Sequence, residues 1–110
     1  MAHIFVLYSL KAGVSREDFE YWLKTSNSTA LRSIKRLKEF TVFRVEKRVM
    51  AQEQASVDYI DLFEIPDISG FINEDLRGDI SRKDMEEFGG FADKPEYLLA
   101  TAVTSNQLIS

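Results

Sequence analysis

Asp61 is the residue in this sequence best placed to do acid–base chemistry, because it lies between Tyr59 and Phe63 on one predicted strand. A carboxyl group with a phenol and a guanidinium nearby can give and take protons inside a pocket. Arg44 lies on the neighbouring predicted strand and supplies the guanidinium. The sequence therefore predicts Asp61, Tyr59 and Arg44 as catalytic residues.

The arrangement of these residues depends on how two strands pair. We predict strands at residues 40–50 and 57–65, joined by residues 51–56 as a hairpin in which Met50 lies opposite Val57. Because side chains alternate along a strand, one face then carries Arg44, Glu46, Arg48, Tyr59, Asp61 and Phe63. The opposite parity is apolar and suits packing against helices: Phe43, Val45, Ile60 and Leu62.

The first of these faces is too polar for a dry interface. We expect it to point away from the helices, toward a partner, and to line a wet or ligand-filled lumen between two sheets. A second interpretation stays open, in which Arg44 and Arg48 simply neutralise Glu46 and Asp61 across the strands, since buried charges are usually paired.

Two further strands complete the pattern, at residues 3–10 and 96–104, both rich in β-branched or aromatic residues. Helical segments separate the first from the second strand and the third from the fourth. This βαββαβ order predicts an α+β, ferredoxin-like domain spanning residues 1–110, with a four-stranded antiparallel sheet and both helices on one face.

The helical segments carry recognisable start and stop signals. Ser15 before three charged residues predicts the first N-cap, and Asp67 predicts the second. The polar cluster at residues 25–29 should interrupt the first helix, because these side chains compete for backbone hydrogen bonds. Gly78 should break the second, which we expect to end before Gly89-Gly90.

The strands are apolar on both faces, although the helices can cover only one. Residues Ile4 to Tyr8 form an unbroken apolar run, and Leu98 and Leu99 are consecutive. Leaving several such side chains in water forgoes roughly 5–10 kcal/mol. We therefore expect a homodimer, a dimeric α/β barrel around a shared pocket, rather than a monomer with an exposed patch or a complex with another partner.

Composition excludes several other classes of function. The chain has 14 basic and 18 acidic side chains and a net charge of −4, which argues against a nucleic-acid surface. It has no cysteine, and His3 is its only histidine, so we expect no metal site. It shows neither a signal peptide nor a run of about 20 apolar residues, so we expect a cytoplasmic protein without membrane contact.

The run Gly13 to Phe19, followed by Trp22 after an apolar strand, resembles dimeric α/β-barrel proteins. Those families typically place a histidine one turn beyond the tryptophan, where this sequence has Asn27. The likeness extends over nearly all 110 residues to the HapK/RedY-like proteins of prodiginine biosynthesis. Three further runs carry it: Phe43-Arg44-Val45, Tyr59 to Glu64, and Glu87 to Phe91.

The resemblance implies a role in building the bipyrrole half of a red tripyrrole pigment, by cyclisation with loss of water and without a cofactor. It implies a small aromatic or pyrrolic ligand. Judged from position, the residues expected to contact that ligand are Tyr8, Asn27, Glu46, Phe63 and Trp22. Trp22 also lies on the apolar face of the first helix and suits the core.

Two other functions remain open on the same scaffold. One is a cofactor-free monooxygenase, in which Trp22, Asn27 and a tyrosine would handle an electron-rich aromatic substrate and oxygen. The other is a binding protein that shields a reactive intermediate and performs no chemistry. Oxygen uptake separates the first from a dehydration, and binding without product formation identifies the second.

Overall fold

The computed structural model describes residues 2–109. Its strands and helices, in chain order, are β1 (Ala2–Leu10), α1 (Arg16–Trp22), a π-helical turn (Leu23–Asn27), α2 (Ser28–Arg32), β2 (Glu39–Arg44), β3 (Tyr59–Glu64), α3 (Ile68–Asn73), a 3₁₀ turn (Asp75–Arg77), α4 (Asp79–Phe91) and β4 (Ala92–Thr101).

The four strands form one antiparallel sheet in the order β2-β3-β1-β4. The two middle strands pair with Asp61 opposite Val6, and Tyr59 opposite Tyr8. All helices pack on one face of this sheet, since the buried clusters join even-numbered positions of β1 to α1 and α4. The predicted ferredoxin-like α+β fold is confirmed.

The hairpin between β2 and β3 is wider than predicted. β2 ends at Arg44, which lies opposite Tyr59, so the predicted pairing of Arg44 with Phe63 is wrong by four positions. Residues 45–58 form a long connection in which Val49 and Met50 are 93% and 96% exposed. The charged run that was expected to continue the strand has no apolar surface to pack on, so it stays in water.

The assignment of the sheet's faces was also wrong. Tyr59, Asp61 and Phe63 point toward the helices, because they share a face with Val6 and Tyr8. The set expected to pack on the helices points to the uncovered face instead, together with residues of β1: Phe43, Ile60, Leu62, Phe5 and Leu7. The aromatic rings of β1 and β3 decide the orientation, since they fill the space beneath α1 and α4.

The main core is an aromatic cluster on the helix side. Phe19 of α1 is fully buried and meets the rings of Tyr8 and Tyr59 edge-on, with centroids 5.8 and 5.0 Å apart. Phe88 of α4 meets Tyr8 in the same way at 4.8 Å. These edge-to-face contacts are favourable beyond the area that they bury, so they hold α1 and α4 at a defined height above β1 and β3.

Two helices begin at the predicted N-caps, whereas the last helix and the last strand have other boundaries than predicted. Ser15 Oγ accepts from the Asp18 amide at 3.0 Å, and Asp67 caps α3. α4 continues through its two exposed glycines to Phe91, and β4 therefore begins at Ala92. β4 accommodates Pro95 because it is an edge strand, where a missing N–H leaves no ladder bond unmade.

A Cβ atom on Gly70 of α3 would displace the ends of two side chains, the Asp67 carboxylate that caps the helix and the Arg36 guanidinium that pairs with it. We expect Gly70→Ala to lower Tm by roughly 4–8 °C, the shift that about 1 kcal/mol gives in a domain of this size. Gly89→Ala is the matched control, since its Cβ meets nothing within 4 Å. Equal melting temperatures of the two variants by calorimetry would contradict this account.

Candidate functional site

Two adjoining cavities lie between the sheet and the helices. The smaller, about 50 Å³, is lined by polar as well as aromatic side chains, and the larger, about 340 Å³, is almost wholly apolar. They share four lining residues: Phe63, Asp84, Met85 and Tyr97. A flat molecule could therefore place a polar edge in the small pocket and its apolar body in the large cavity.

Asp61 lies in the wall of the small pocket and is only 4% exposed. The pKa of its carboxyl is raised to about 7, chiefly by burial; the hydrogen bond from Tyr8 lowers the pKa, and the nearby Asp84 carboxylate raises it. Tyr8 Oη donates to Asp61 Oδ1 at 2.8 Å. At neutral pH this carboxyl is thus divided between its acid and base forms, as a proton-transfer group requires.

Tyr8 serves as a fixed donor to Asp61. Burial raises the pKa of its phenol far above the ordinary value, and the Asp61 charge adds to that effect. The ring is stacked against Tyr59 at 5.7 Å, so the hydroxyl is held in place. Tyr8 does not line the small pocket, so it bonds to Asp61 from outside that pocket.

A second carboxyl, that of Asp84 on α4, shares the pocket. Asn27 Nδ2 donates to its two oxygens at 3.0 and 3.1 Å. Burial raises the pKa of Asp84. The Asn27 side chain is 4% exposed, and its Oδ1 has no hydrogen-bond partner among the described residues.

The wide π-helical turn between α1 and α2 brings Asn27 into this position. Such turns insert one extra residue per hydrogen-bonded ring and often occur at functional sites. Ser28 Oγ donates to the Leu23 carbonyl at 2.6 Å, which supports the widened turn. The polar cluster that was expected to interrupt the helix therefore widens it instead, and the chain continues directly into α2.

Trp22 lines the pocket with its ring and is anchored by its nitrogen. Its Nε1 donates to Glu87 Oε1 at 2.8 Å, and the ring is stacked with Phe19. The side chain is 8% exposed and belongs to the aromatic core. Trp22 thus forms part of the core and one wall of the pocket.

Two of the predicted catalytic residues lie outside this pocket. Tyr59 Oη and Arg44 Nε both donate to Glu20 Oε2 at 2.7 Å, and the Arg16 guanidinium lies 5.1 Å above the Tyr59 ring. The hydrogen bonds from Arg44 and then Tyr59 lower the pKa of Glu20 to about 2. Burial raises the pKa of Tyr59 to about 12.

These contacts separate the predicted set into two groups. Asp61, Asn27, Phe63 and Trp22 line the small pocket, and Tyr8 bonds to Asp61. Arg44 and Tyr59 instead line a neighbouring groove against α1. The exposed Glu46 lies beyond the end of β2 and forms an ion pair with Arg44 at 3.5 Å. The expected lumen between two sheets is wrong, because Asp61 faces the helices of its own chain.

Asp84, Glu87 and Tyr97 are the site residues that sequence reasoning missed. Asp84 lies on α4 three residues after the buried Ser81 and four before Phe88, so its charge falls on the inward face of the helix. That spacing is the sequence signal that could have identified Asp84. Within residues 2–109, no three acidic, histidine or cysteine side chains group as a metal site, and no helix is long and apolar enough to cross a bilayer.

A family model described as REDY-like protein HapK matches residues 2–103. Among solved structures, HapK from Hahella chejuensis is 18% identical, with a TM-score of 0.77 and 100% of both chains covered. SnoaB, a cofactor-independent oxygenase from Streptomyces nogalater, is 12% identical with a TM-score of 0.71, and 94% of each chain is covered.

A third structure, from Thermobifida fusca, is described as a dimeric ferredoxin-like protein of unknown function. It is 12% identical with a TM-score of 0.70, covering 92% of this chain and 90% of that one. A search of curated protein sequences finds no match. At these identities the structural likeness establishes the shared fold.

Proposed function

Because this chain belongs to the REDY-like HapK family, a group of small biosynthetic proteins, we propose that its pocket catalyses a cofactor-free ring closure with loss of water. The product would be the bipyrrole precursor of a red tripyrrole pigment. The observation that carries this proposal is the buried Asp61 carboxyl, with a pKa of about 7, in the wall of a polar pocket that adjoins an apolar cavity.

The proposed step joins an amine to a carbonyl carbon of the same molecule. In an amino-diketone, a C–N bond forms and the oxygen of the attacked carbonyl leaves as water. The second carbonyl then enolises, as its oxygen gains a proton and a ring carbon loses one, and this makes the ring aromatic. Protonated Asp61 supplies the proton that the departing oxygen needs, and the resulting carboxylate takes up the ring proton. Protons balance and nothing is oxidised, so the step requires no cofactor.

The surroundings of Asp61 support this role. Tyr8 holds the carboxylate form by hydrogen bonding and stays protonated itself. Aromatic side chains give the pocket flat walls suited to a pyrrolic ring: Trp22, Phe40, Phe63 and Phe88. The apolar cavity excludes water from the body of the substrate, which strengthens the interactions of the charged groups at its end.

We also propose that the protein is a cytoplasmic homodimer joined through the uncovered face of its sheet. Strands β1, β2 and β3 contribute apolar side chains to that face, including Phe5, Phe43, Ile60 and Leu62. Phe43 is 50% exposed. A second copy would cover it by two-fold pairing. In this arrangement each chain keeps its own pocket on the opposite, helix-covered side.

An oxygenase on this scaffold is the second candidate, favoured by the fold shared with the Streptomyces nogalater oxygenase. One experiment separates the possibilities: purified protein is incubated with a pyrrole bearing an amino-diketone side chain. Mass spectrometry detects loss of water, and an electrode measures oxygen. We expect water loss with no oxygen uptake. Oxygen uptake would instead favour the oxygenase, and binding without product would favour a carrier.

The pH dependence of turnover tests the role of the buried carboxyl. Since protonated Asp61 starts the reaction, we expect kcat/KM, calculated on the concentration of unprotonated substrate amine, to be level below about pH 7 and to fall about tenfold per pH unit above it. Asp84→Asn should move this alkaline limb to lower pH, because the Asp84 charge raises the pKa of Asp61. A profile that stays level to pH 9 would count against Asp61 as the acid.

A further inference from the structure

The side-chain oxygen of Asn27 is a buried hydrogen-bond acceptor without a donor. The residue is 4% exposed, and Oδ1 has no partner among the described residues. Leaving such an atom unpaired costs about 1–3 kcal/mol. The oxygen is itself closed off from solvent, but it belongs to a residue that lines the small pocket, so a small movement of the pocket wall would open it to a bound molecule.

The orientation of the amide follows from its other contact. Asn27 Nδ2 donates to both oxygens of Asp84. Turning the amide over would set its oxygen against those carboxylate oxygens, where two acceptors repel. The free atom is therefore the oxygen, and what it lacks is a donor.

Two of the donors near the pocket are already used. Tyr8 Oη donates to Asp61, and Trp22 Nε1 donates to Glu87. The remaining walls that lie close to Asn27 are hydrocarbon and aromatic, among them Leu23 and Phe40. Tyr97 also lines the pocket but does not donate to Asn27 Oδ1, so a molecule that enters the pocket can supply the missing donor.

We infer that Asn27 Oδ1 accepts a ring N–H of the bound ligand and so selects N–H heterocycles over rings that carry oxygen or a substituted nitrogen at that position. The pocket is only about 50 Å³ and has flat aromatic walls, so it admits the edge of a planar ring. The N–H is the polar donor that such an edge presents. An ether oxygen there would face the amide oxygen with no proton between them.

The same contact sets the orientation of the ligand. With its N–H at Asn27, the ring lies between Asp61 and Asp84, and its substituent extends past Phe63 and Tyr97 into the cavity of about 340 Å³. This inference rests on the proposed function for the location of the site. It adds the group that determines which heterocycles the site accepts.

The test compares three probes by calorimetric titration: phenylpyrrole, its N-methyl derivative and phenylfuran, each with the phenyl group next to the heteroatom. We expect the wild-type protein to bind phenylpyrrole at least about 10-fold more tightly than either of the others, since an unpaired buried polar atom has a cost of that order. In Asn27→Leu, which is close in shape, the preference should fall to about 2-fold or less.

Equal affinities of the wild-type protein for the three probes, or no binding of any, would overturn the inference, and so would a preference that survives in folded Asn27→Leu. The wild-type comparison stands even if the variant does not fold. The test is also separate from that of the reaction. A preference for phenylpyrrole without loss of water in the turnover assay would leave the inference intact and reject the proposed chemistry. Loss of water without that preference would support the chemistry and reject the inference.

Discussion

Asp61→Asn is expected to slow product formation by about 10²–10⁴-fold, the range typical for loss of a general acid–base group. Asparagine keeps the shape of the side chain and an oxygen that accepts from Tyr8, so the pocket should stay assembled. It cannot transfer the proton. Single-turnover assays with the amino-diketone substrate measure the effect, and Asp93→Asn, an exposed change on β4, is the control.

The same substitution should make the protein more stable at high pH. The pKa of Asp61 is raised from 3.8 to about 7 in the folded chain. The folded state therefore holds a proton that the unfolded state releases, and wild-type stability is lost as pH rises from about 4 through 7. Removing the charge should recover at most about 4 kcal/mol at pH 8, and much less at pH 5.

Urea unfolding at the two pH values measures this difference. A variant that loses activity and gains stability at pH 8 identifies Asp61 as a group kept for chemistry rather than for folding. If Asp61→Asn were less stable than the wild type at pH 8, the carboxylate would be a structural partner of Tyr8 instead. Turnover that survives the change would remove Asp61 from the mechanism.

Leu62→Glu is expected to weaken self-association by roughly 10³-fold. Leu62 lies on the uncovered face opposite Phe5, in the middle of the sheet. Each copy would lose about 2 kcal/mol of apolar burial, and two-fold symmetry applies the change twice, which gives about three powers of ten in Kd. The monomer should fold, because this side chain is only partly buried within one chain.

Sedimentation equilibrium provides the measurement, with the wild type expected at twice 12.6 kDa. Ile80→Glu places the same charge on a 50% exposed side chain of α4, away from the sheet, and should leave the dimer unchanged. A wild-type protein that sediments as a monomer at high concentration would reject the proposed dimer. The helix-side pocket of each chain would still stand, because it lies within one protomer.

Local patterns were sufficient to predict most of the strands and helix starts. Ser15 and Asp67 cap helices because their side chains accept from amides three residues ahead, a contact that needs no tertiary partner. The strand that contains Tyr59 and Asp61 was recognisable from its β-branched and aromatic residues. The end of β2 was not, because Val45 and Val49 continue its β-branched composition and only the structure shows that the run leaves the sheet.

The candidate site was predictable in part. Asp61 stood out as an acid between aromatic residues, and Asn27 as the residue one turn beyond Trp22. Asp84 is as close to the chemistry as either, yet on its helix it is one of several acids in a charged segment. Only the packing of α4 over β1 and β3 shows that this particular carboxyl is buried.

By itself, the sequence determined the order of the strands, the alternation that puts Tyr59, Asp61 and Phe63 on one face, and the need to cover both faces of the sheet. The tertiary structure decided which face the helices cover: the polar face of β2 and β3 was expected to point away from them, yet Tyr59, Asp61 and Phe63 lie beneath the helices because they share a face with Val6 and Tyr8. It also decided which charged side chains lie close to one another. Asp61 lies near Asp84, and Arg44 binds Glu20, through packing between segments that are far apart in the chain.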